Sequence, residues 1–338
     1  MDKIQSDYRE LLRKGLKDEY DSSVRGYDVL GSIAIIGEQG KRGRVIADAV
    51  MKINKNVKTV VSKAGAVKGR YRKREFEFVA GERNFIADYK ENGCTFRFDI
   101  RKTFFSSRLS FERKRITELS KDNEHVAVMF AGIGPFAIEI AKRNRNSEIV
   151  AVELNRDSYR YMLENIRINK TANVKAVLGD ARNVVEGMAD WADRIIMPLP
   201  MSADKFLKSA IIAARNGCII HYYSFGNSAD PFSESGRMAR ELAKSMGFTA
   251  RVVGKRIVRP YSKDTSEIVL DIRIGKKNNN NNNKSRRKGK DTELKNKRKE
   301  KNGKELKEVT LHVNRIASKT PLMLTCIWTC RRYLCRPL

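Results

Sequence analysis

Strand-like and helix-like segments alternate regularly from about residue 108 onward, and this alternation constrains the fold more than any other feature of the chain. The apolar runs HVAVMF (125–130) and EIVAVEL (148–154) have the length of buried strands, and each precedes a segment with helical spacing. The same order continues through a strand at 218–225 and one more helix, and it ends in two further β segments. It predicts a doubly wound, mostly parallel sheet, the α/β architecture of a Rossmann-type domain, over residues 108–275.

The residues before this domain have a different pattern. Residues 1–25 predict a charged N-terminal helical segment. Residues 26–107 combine one helix at 44–54 with several β-rich runs, and we interpret residues 27–37 as one such run. We therefore expect a small α+β domain over residues 26–107.

The end of the chain predicts disorder and carries much of the charge. Residues 276–307 hold an asparagine run and fourteen Lys or Arg against four Asp or Glu, with too little apolar surface to order themselves. We assign residues 276–338 to a basic, low-complexity tail. The formal net charge of the whole chain is +29, and the part before the tail is basic as well. This charge favours a polyanionic partner such as a nucleic acid.

Composition argues against several other classes of protein. No run approaches the roughly 20 apolar residues that a membrane-spanning helix needs, and the N-terminus lacks the apolar core of a signal peptide. We therefore expect a cytoplasmic protein without a membrane partner. The five cysteines are scattered and the three histidines lie far apart, so we expect reduced thiols and no metal site.

A glycine-rich turn joins the first strand of the Rossmann-type domain to its helix. The segment AGIGPFA contains Gly132-x-Gly134-x-x-Ala137, followed by the pattern of a helix whose first turn holds Pro135. Glycines at this spacing let the backbone pass closely under a ligand at the carboxyl edge of a strand. The motif alone fits either a dinucleotide or S-adenosylmethionine, and a tight turn without any ligand is the simpler alternative.

Polar residues and prolines follow the next strands at the same predicted edge. Glu153 ends the second strand and can accept hydrogen bonds from ribose hydroxyls, although an acid there can also cap the next helix together with Asn155. Asp180 ends the third strand and can accept from an adenine amino group. The fourth strand ends in MPLP (197–200), a turn that suits a substrate base beside a methyl donor better than a nicotinamide ring.

Several motifs in order give the chain a family resemblance. The segments RKTFFSSRLSFERKRI, VMFAGIGPFAIEIAKR, AVELNRDSYRYMLENIRINK, GDARNV and DRIIMPLPMSA resemble those of the archaeal and eukaryotic tRNA (guanine-37-N1)-methyltransferases. The resemblance also takes in GSIAIIG, NVKTVVSKAGAVKGRYRKREFEFVAGE and VRPYS, and it covers roughly residues 26–274. It implies a Rossmann-type domain that binds S-adenosylmethionine, preceded by a small α+β domain that contacts RNA.

The resemblance also implies roles for individual residues. Glu112 would be the general base toward the N1 proton of guanine, and Arg108 would stabilise negative charge that builds at O6. Arg72, by its position before the β run at 74–81, is the candidate for a second guanine or phosphate contact, with Arg70 or Arg74 as alternatives. The base is chemically necessary because guanine N1 is protonated at neutral pH and must lose that proton to attack a methyl group. The alternative for Glu112 is a surface salt bridge to Arg108 or Arg115. The residues expected at the cofactor are Arg113, Phe130, Gly132, Gly134, Glu153, Asn155, Asp180, Pro198 and Pro200.

Three positions depart from the family pattern. Val128 stands where relatives have aspartate, Pro198 where they have asparagine, and Ser107 where they have proline. The first two changes remove polar groups near the donor and the base, so a tRNA-binding protein without donor remains one alternative. A wyosine-pathway enzyme, which transfers a methyl or aminocarboxypropyl group to a tricyclic base at the same position, is the other. Our main prediction is a monomeric, metal-free methyltransferase acting on the anticodon stem-loop of tRNA.

Overall fold

The computed structural model describes residues 3–20, 26–65 and 75–276. The chain divides into two compact units, Met1–Ala176 and Val177–Leu338. The low-complexity tail expected after residue 275 lies outside the described residues from residue 277 onward, and so does Arg72.

The first unit contains five α-helices and eight complete strands among its described residues. Its helices are α1 (Lys3–Leu16), α2 (Gly40–Ile53), α3 (Ser110–Leu119), α4 (Pro135–Arg143) and α5 (Arg156–Asn169). Its strands are β1 (Asp28–Leu30), β2 (Ile33–Ile36), β3 (Thr59–Lys63), β4 (Phe76–Gly81), β5 (Ile86–Glu91), β6 (Cys94–Asp99), β7 (His125–Val128) and β8 (Glu148–Glu153). The boundary between the units falls within β9 (Val174–Leu178).

Strands β1 to β4 form a mixed sheet in sequence order. The run expected as one β segment at residues 27–37 is two antiparallel strands, because the chain reverses at Gly31, whose φ is +60°. A Cβ at this glycine would lie 2.5 Å from the carbonyl oxygen of Asp88, so both the turn and the close approach need glycine. Strand β2 then pairs in parallel with β3, and β3 pairs antiparallel with β4.

Strand β2 is buried on both faces, which joins the small sheet to two cores. Ala34 and Ile36 pack with the helices α1 and α2, while Ile33 and Ile35 pack with β6 and α4. Helix α1 contributes Leu12 to the first of these cores. The N-terminal helix expected over residues 1–25 is therefore a packed part of the small domain, with its apolar stripe facing α2.

The β5–β6 hairpin lies within the range expected for the small domain, and it packs on the helices that follow the glycine-rich turn. Side-chain amides of α5 hydrogen-bond to the backbone of β6, as the backbone of a neighbouring strand would. Asn165 Oδ1 accepts from Arg97 N at 2.7 Å, and Asn169 Oδ1 accepts from Thr95 N at 2.9 Å. The Asn169 amide also donates to the Thr95 carbonyl at 2.7 Å, so α5 covers this edge of the hairpin.

Strands β7 and β8 are parallel and are joined by α4, as the alternating pattern predicts. Helix α5 follows β8, and Asn155, the residue before its first turn, caps it by accepting from Asp157 N at 2.9 Å. The two successive strand–helix pairs, β7–α4 and β8–α5, place the glycine-rich turn and the end of β8 at one edge of the sheet.

The second unit contains three helices and four complete strands among its described residues. They are α6 (Ala181–Glu186), β10 (Ala192–Met197), α7 (Asp204–Ala213), β11 (Ala214–Asn227), α8 (Ser233–Ser245), β12 (Phe248–Pro260) and β13 (Thr265–Lys276). Strand β11 runs parallel to β10, and β12 and β13 form the expected closing antiparallel pair. The helix expected to reach Gly217 ends at Ala213, because the chain already pairs with β10 from Ala214 onward.

Candidate active site

The turn between β7 and α4 has an unusual backbone. Phe130, Gly132 and Gly134 have φ angles of +55°, +59° and +92°. Left-handed backbone is unfavourable for a residue with a Cβ, and Phe130 adopts it nevertheless. Three alternate residues of this turn therefore have left-handed backbone, which two glycines adopt without strain and Phe130 does not.

The two glycines of the turn serve different purposes. A Cβ on Gly134 would lie 2.9 Å from Met162 Cγ and 3.1 Å from Ile138 Cδ1, so this glycine allows close packing against neighbouring helices. A Cβ on Gly132 would meet only the Phe104 carbonyl oxygen, at 3.8 Å. Protein packing thus leaves open space above Gly132, which fits close approach of a ligand to the backbone.

Glu153, at the end of β8, is fixed by the turn. One carboxylate oxygen accepts from Gly132 N at 2.8 Å, and the other accepts from Asn155 N at 2.7 Å. Burial raises the pKa of Glu153, while the backbone N–H groups of Asn155 and Gly132 act in the opposite direction. Each carboxylate oxygen has a second lone pair, and the side chain remains partly accessible, so it can accept from ribose hydroxyls.

Asn155 is a supporting residue in this arrangement. Besides capping α5, its amide donates to the carbonyl of Lys102 at 3.0 Å. This bond holds the segment before α3 against the end of β8. The sequence gives no signal for it, because the acceptor is a backbone carbonyl that any residue supplies.

Glu112 lies in the first turn of α3 and is only 3% exposed. Its carboxylate accepts hydrogen bonds from Arg115 Nη2 at 2.7 Å and from Arg115 Nε at 3.0 Å. The surface salt bridge considered from the sequence thus exists in part: the partner is Arg115, but the acid is buried. Its predicted role as general base stays a prediction.

Arg108 lies in a short 3₁₀ helix before α3, and its side chain is 63% exposed. Its guanidinium contacts Asp28 of the small sheet at 3.1 Å. The arginine is therefore accessible to a ligand and is held by a screened surface pair that a stronger anion can displace.

Arg113 lies in a buried ion cluster. Its guanidinium binds Glu91 through two hydrogen bonds of 2.6 and 2.7 Å, and its Nε lies 3.6 Å from Glu139. Burial, and then the charge of Glu91, raise the pKa of Glu139 to about 8. A proton on Glu139 leaves one cation opposite one anion. These surroundings give Arg113 a structural role and lend no support to its expected contact with the cofactor.

The second unit positions three of the expected residues. Asp180 caps α6 by accepting from Arg182 N at 3.0 Å. Pro198 and Pro200 follow β10 in a tight turn, in which Leu199 N donates to the carbonyl of Met197 at 2.9 Å. These prolines are half-buried, and the next residue, Met201, is 69% exposed.

Several other expectations concern absences or departures. Within residues 3–20, 26–65 and 75–276, no group of three His, Cys, Asp or Glu side chains could hold a metal ion. No helix in that part of the chain is long and apolar enough to cross a membrane. Val128, where relatives were expected to have aspartate, is fully buried at the end of β7.

Comparison with protein families identifies two matches along the chain. Residues 87–253 match the TRM5/TYW2 methyltransferase domain, and residues 8–84 match the TYW2 N-terminal domain. The methyltransferase match begins at the β5–β6 hairpin, in agreement with its packing on α4 and α5.

Three relatives represent the similarity. The tRNA (guanine(37)-N(1))-methyltransferase Trm5b of Pyrococcus abyssi is 39% identical over 73% of this chain and 74% of its own. Its crystal structure aligns with a TM-score of 0.70, at 35% identity, over 81% of this chain and 82% of that chain. The tRNA 4-demethylwyosine(37)-methyltransferase Taw21 of Saccharolobus solfataricus is 33% identical over 78% of this chain and 98% of its own. The structure of M. jannaschii TYW2 in complex with AdoMet aligns with a TM-score of 0.61, at 25% identity, over 75% of this chain and all of that chain.

These similarities confirm the resemblance and the Rossmann-type methyltransferase fold with an N-terminal domain that the motifs indicate. The order of the matches along the chain also agrees with the order of the two expected folds. The chain belongs to the TRM5/TYW2 methyltransferase family.

Proposed function

We propose that this protein transfers a methyl group from S-adenosylmethionine to N1 of guanine at position 37 of tRNA. The observation that carries the proposal is a buried acid, Glu112, in a chain whose relative of 39% identity is named for this reaction. The basic charge of the chain suits a tRNA substrate.

The donor site is built on the glycine-rich turn. S-adenosylmethionine supplies a methyl group on a positively charged sulfur, which an aromatic nitrogen can attack in line. The open space above Gly132 admits the donor close to the backbone, and Glu153, held by Gly132 and Asn155, accepts from its ribose hydroxyls. Asp180, which caps α6 in the second unit, is the candidate from the sequence for accepting from the adenine amino group.

Glu112 takes the N1 proton of the target guanine. The side chain is excluded from bulk water, and Arg115 fixes its orientation through the paired hydrogen bonds. Removal of the proton places negative charge on N1 and O6 of the base, and an arginine can stabilise that charge. Arg108 is accessible for this purpose, and Arg72 is the second candidate from the sequence.

Product identification tests the proposal. The purified chain is incubated with the donor and an unmodified tRNA transcript that has guanine at position 37, and the nucleosides are separated by mass spectrometry. We expect 1-methylguanosine. Absence of any methylated nucleoside, together with no donor binding in calorimetry, supports the alternative of a tRNA-binding protein.

The second candidate is methylation of a wyosine intermediate at the same position. It is favoured by the 33% identity to Taw21, in an alignment that covers 98% of Taw21. The same assay on tRNA that carries 4-demethylwyosine distinguishes the two. Methylation of this tRNA alone would replace guanine as the substrate. We also propose that the protein acts as a cytoplasmic monomer on the anticodon stem-loop.

A further inference from the structure

The end of the β12–β13 hairpin carries an exposed aromatic pair. Tyr261 is 60% exposed, and its ring centroid lies 4.5 Å from that of Phe225 in β11, at an angle of 46° between the planes. An exposed tyrosine supported by a second ring offers a flat apolar surface to a ligand. The VRPYS motif, which contains Tyr261, has no role in the proposed chemistry.

The backbone holds Tyr261 in place. The N–H groups of Tyr261 and Ser262 both donate to the carbonyl of Thr265, at 2.9 and 3.0 Å. Pro260 lies opposite Ser266 in the ladder immediately before this turn. The aromatic surface is thus fixed before any ligand arrives, which lowers the entropy lost on binding.

The pair lies at the edge of the sheet where the chemistry of this unit is expected. Met197 ends β10 and is paired with Tyr222 of the parallel strand β11, so Phe225 extends past the end of β10 on the side of the Pro198–Pro200 turn. Ser224 faces α8, because its hydroxyl lies 2.9 Å from that of Ser235. Phe225 therefore points away from α8, on the opposite face.

A cation accompanies the aromatic pair on that face. Glu267 lies opposite both Phe225 and Arg259 in the ladder, and it is 2% exposed. It binds Arg259 through Nε at 2.6 Å, which fixes the guanidinium while the terminal amino groups can donate elsewhere. The Arg259 side chain is 30% exposed, so those groups are within reach of an anion.

We propose that Tyr261, supported by Phe225, stacks on the base next to the target nucleotide of the RNA, and that Arg259 contacts the phosphate of that nucleotide. The inference rests on the proposed function, because it takes tRNA as the substrate. A base that enters an enzyme pocket leaves its stack, and this exposes the faces of its two neighbours. Aromatic side chains bind such faces in single-stranded RNA, and arginine binds phosphate.

Binding of donor-saturated protein to a tRNA transcript tests the subsite. We expect Tyr261→Ala and Tyr261→Leu to weaken tRNA binding about 10-fold, and Tyr261→Phe to bind as wild type, because stacking needs only the ring. The control is Ile257→Ala, an exposed side chain on β12, the strand that ends just before Tyr261; Ile257 is paired with Ile268 on the face of α8. Donor affinity and melting temperature should be the same in all variants. Wild-type affinity in Tyr261→Ala, or an equal loss in Ile257→Ala, overturns the proposal.

Abasic substrates give the sharper test. Transcripts lacking the base on one side or the other of position 37 are titrated against wild type and Tyr261→Ala. Loss of the contacted base should weaken binding by wild type about 10-fold and should not change binding by Tyr261→Ala. If the loss of affinity from removing a base multiplies with the loss from Tyr261→Ala at both neighbours, the two act independently. That result overturns the subsite even if Tyr261→Ala binds weakly. These titrations need no turnover, so failure of wild type to methylate guanine refutes the proposed function separately.

Discussion

Glu112 and Arg115 form a two-point ion pair within one turn of helix α3, with the acid almost completely buried. The arginine is more exposed, at 18% of its side chain against 3% for the acid. A buried carboxylate with a fixed cation beside it has a defined orientation, which is the property that a general base needs. The pair thus connects the fold of α3 to the chemistry proposed for it.

Replacement of Glu112 tests its role as the base. Glu112→Gln keeps the shape of the side chain but cannot take a proton, so kcat should fall about 100- to 10,000-fold with little change in the Kd for tRNA or donor. Single-turnover methylation measures the first quantity and titration the second. The control is Glu118→Gln, an exposed acid in the same helix. Unchanged kcat in Glu112→Gln would remove the residue from the mechanism.

Replacement of Glu153 tests the donor site. Glu153→Ala removes the acceptor for ribose and leaves the Gly132 N–H without its carboxylate, so we expect the Kd for S-adenosylmethionine to rise about 10- to 100-fold. Calorimetry measures this change. Glu148→Gln, at the exposed start of the same strand, is the matched control. Equal donor affinity in both variants would show that the end of β8 does not hold the donor.

The two glycines of the turn should respond differently to alanine. Gly134→Ala collides with Met162 and Ile138 and is also opposed by left-handed backbone, so it should lower the free energy of unfolding by about 2–5 kcal/mol. Gly132→Ala meets open space, and only its left-handed backbone opposes it, at about 1–2 kcal/mol. Relative to its loss of stability, Gly132→Ala should lose more donor affinity than Gly134→Ala. Thermal melting with and without donor compares them, and the opposite ranking would place the donor elsewhere.

The protonated acid Glu139 should make stability depend on pH. The pKa of its carboxyl is about 8 in the folded protein against an ordinary value of 4.5, so between these values the folded state binds more protons than the unfolded state. The free energy of unfolding should therefore fall as pH rises through this window.

Glu139→Gln removes this effect while retaining an acceptor for Asn92, which now donates to Glu139 at 2.9 Å. At pH values higher than 8, we expect the variant to melt a few degrees higher than wild type. A difference of about 1 kcal/mol in the free energy of unfolding corresponds to about 2–4 °C in a domain of this size. Near pH 5 the two proteins should melt alike. A parallel pH dependence of both melting curves would contradict the protonated state.

The glycine-rich turn and the end of β8 could be predicted from sequence because their signals are local. Gly132 and Glu153 stand at fixed distances from apolar strands, and parallel strands bring their ends to one edge. The cluster of Glu91, Arg113 and Glu139 could not be predicted, because its members are distant in sequence and come together only when the β5–β6 hairpin packs on α4.

Element boundaries failed where two patterns overlap. Ala213 ends α7 and Ala214 begins β11, and neither a glycine nor a proline separates them. Strand β5 (Ile86–Glu91) has a weak signal in the sequence because only Ala87 and Glu91 are buried within it. The side-chain partners of β6, Asn165 and Asn169, are likewise invisible to periodicity.

Methylation of paired transcripts that have guanine or adenine at position 37 tests the central claim most directly. Guanine N1 carries a proton that Glu112 can remove, whereas adenine N1 carries none at neutral pH. With tritiated S-adenosylmethionine, wild type should label the guanine transcript and not the adenine transcript, and Glu112→Gln should lose the label on guanine. Equal labelling of both transcripts by wild type would contradict methyl transfer to guanine assisted by a base.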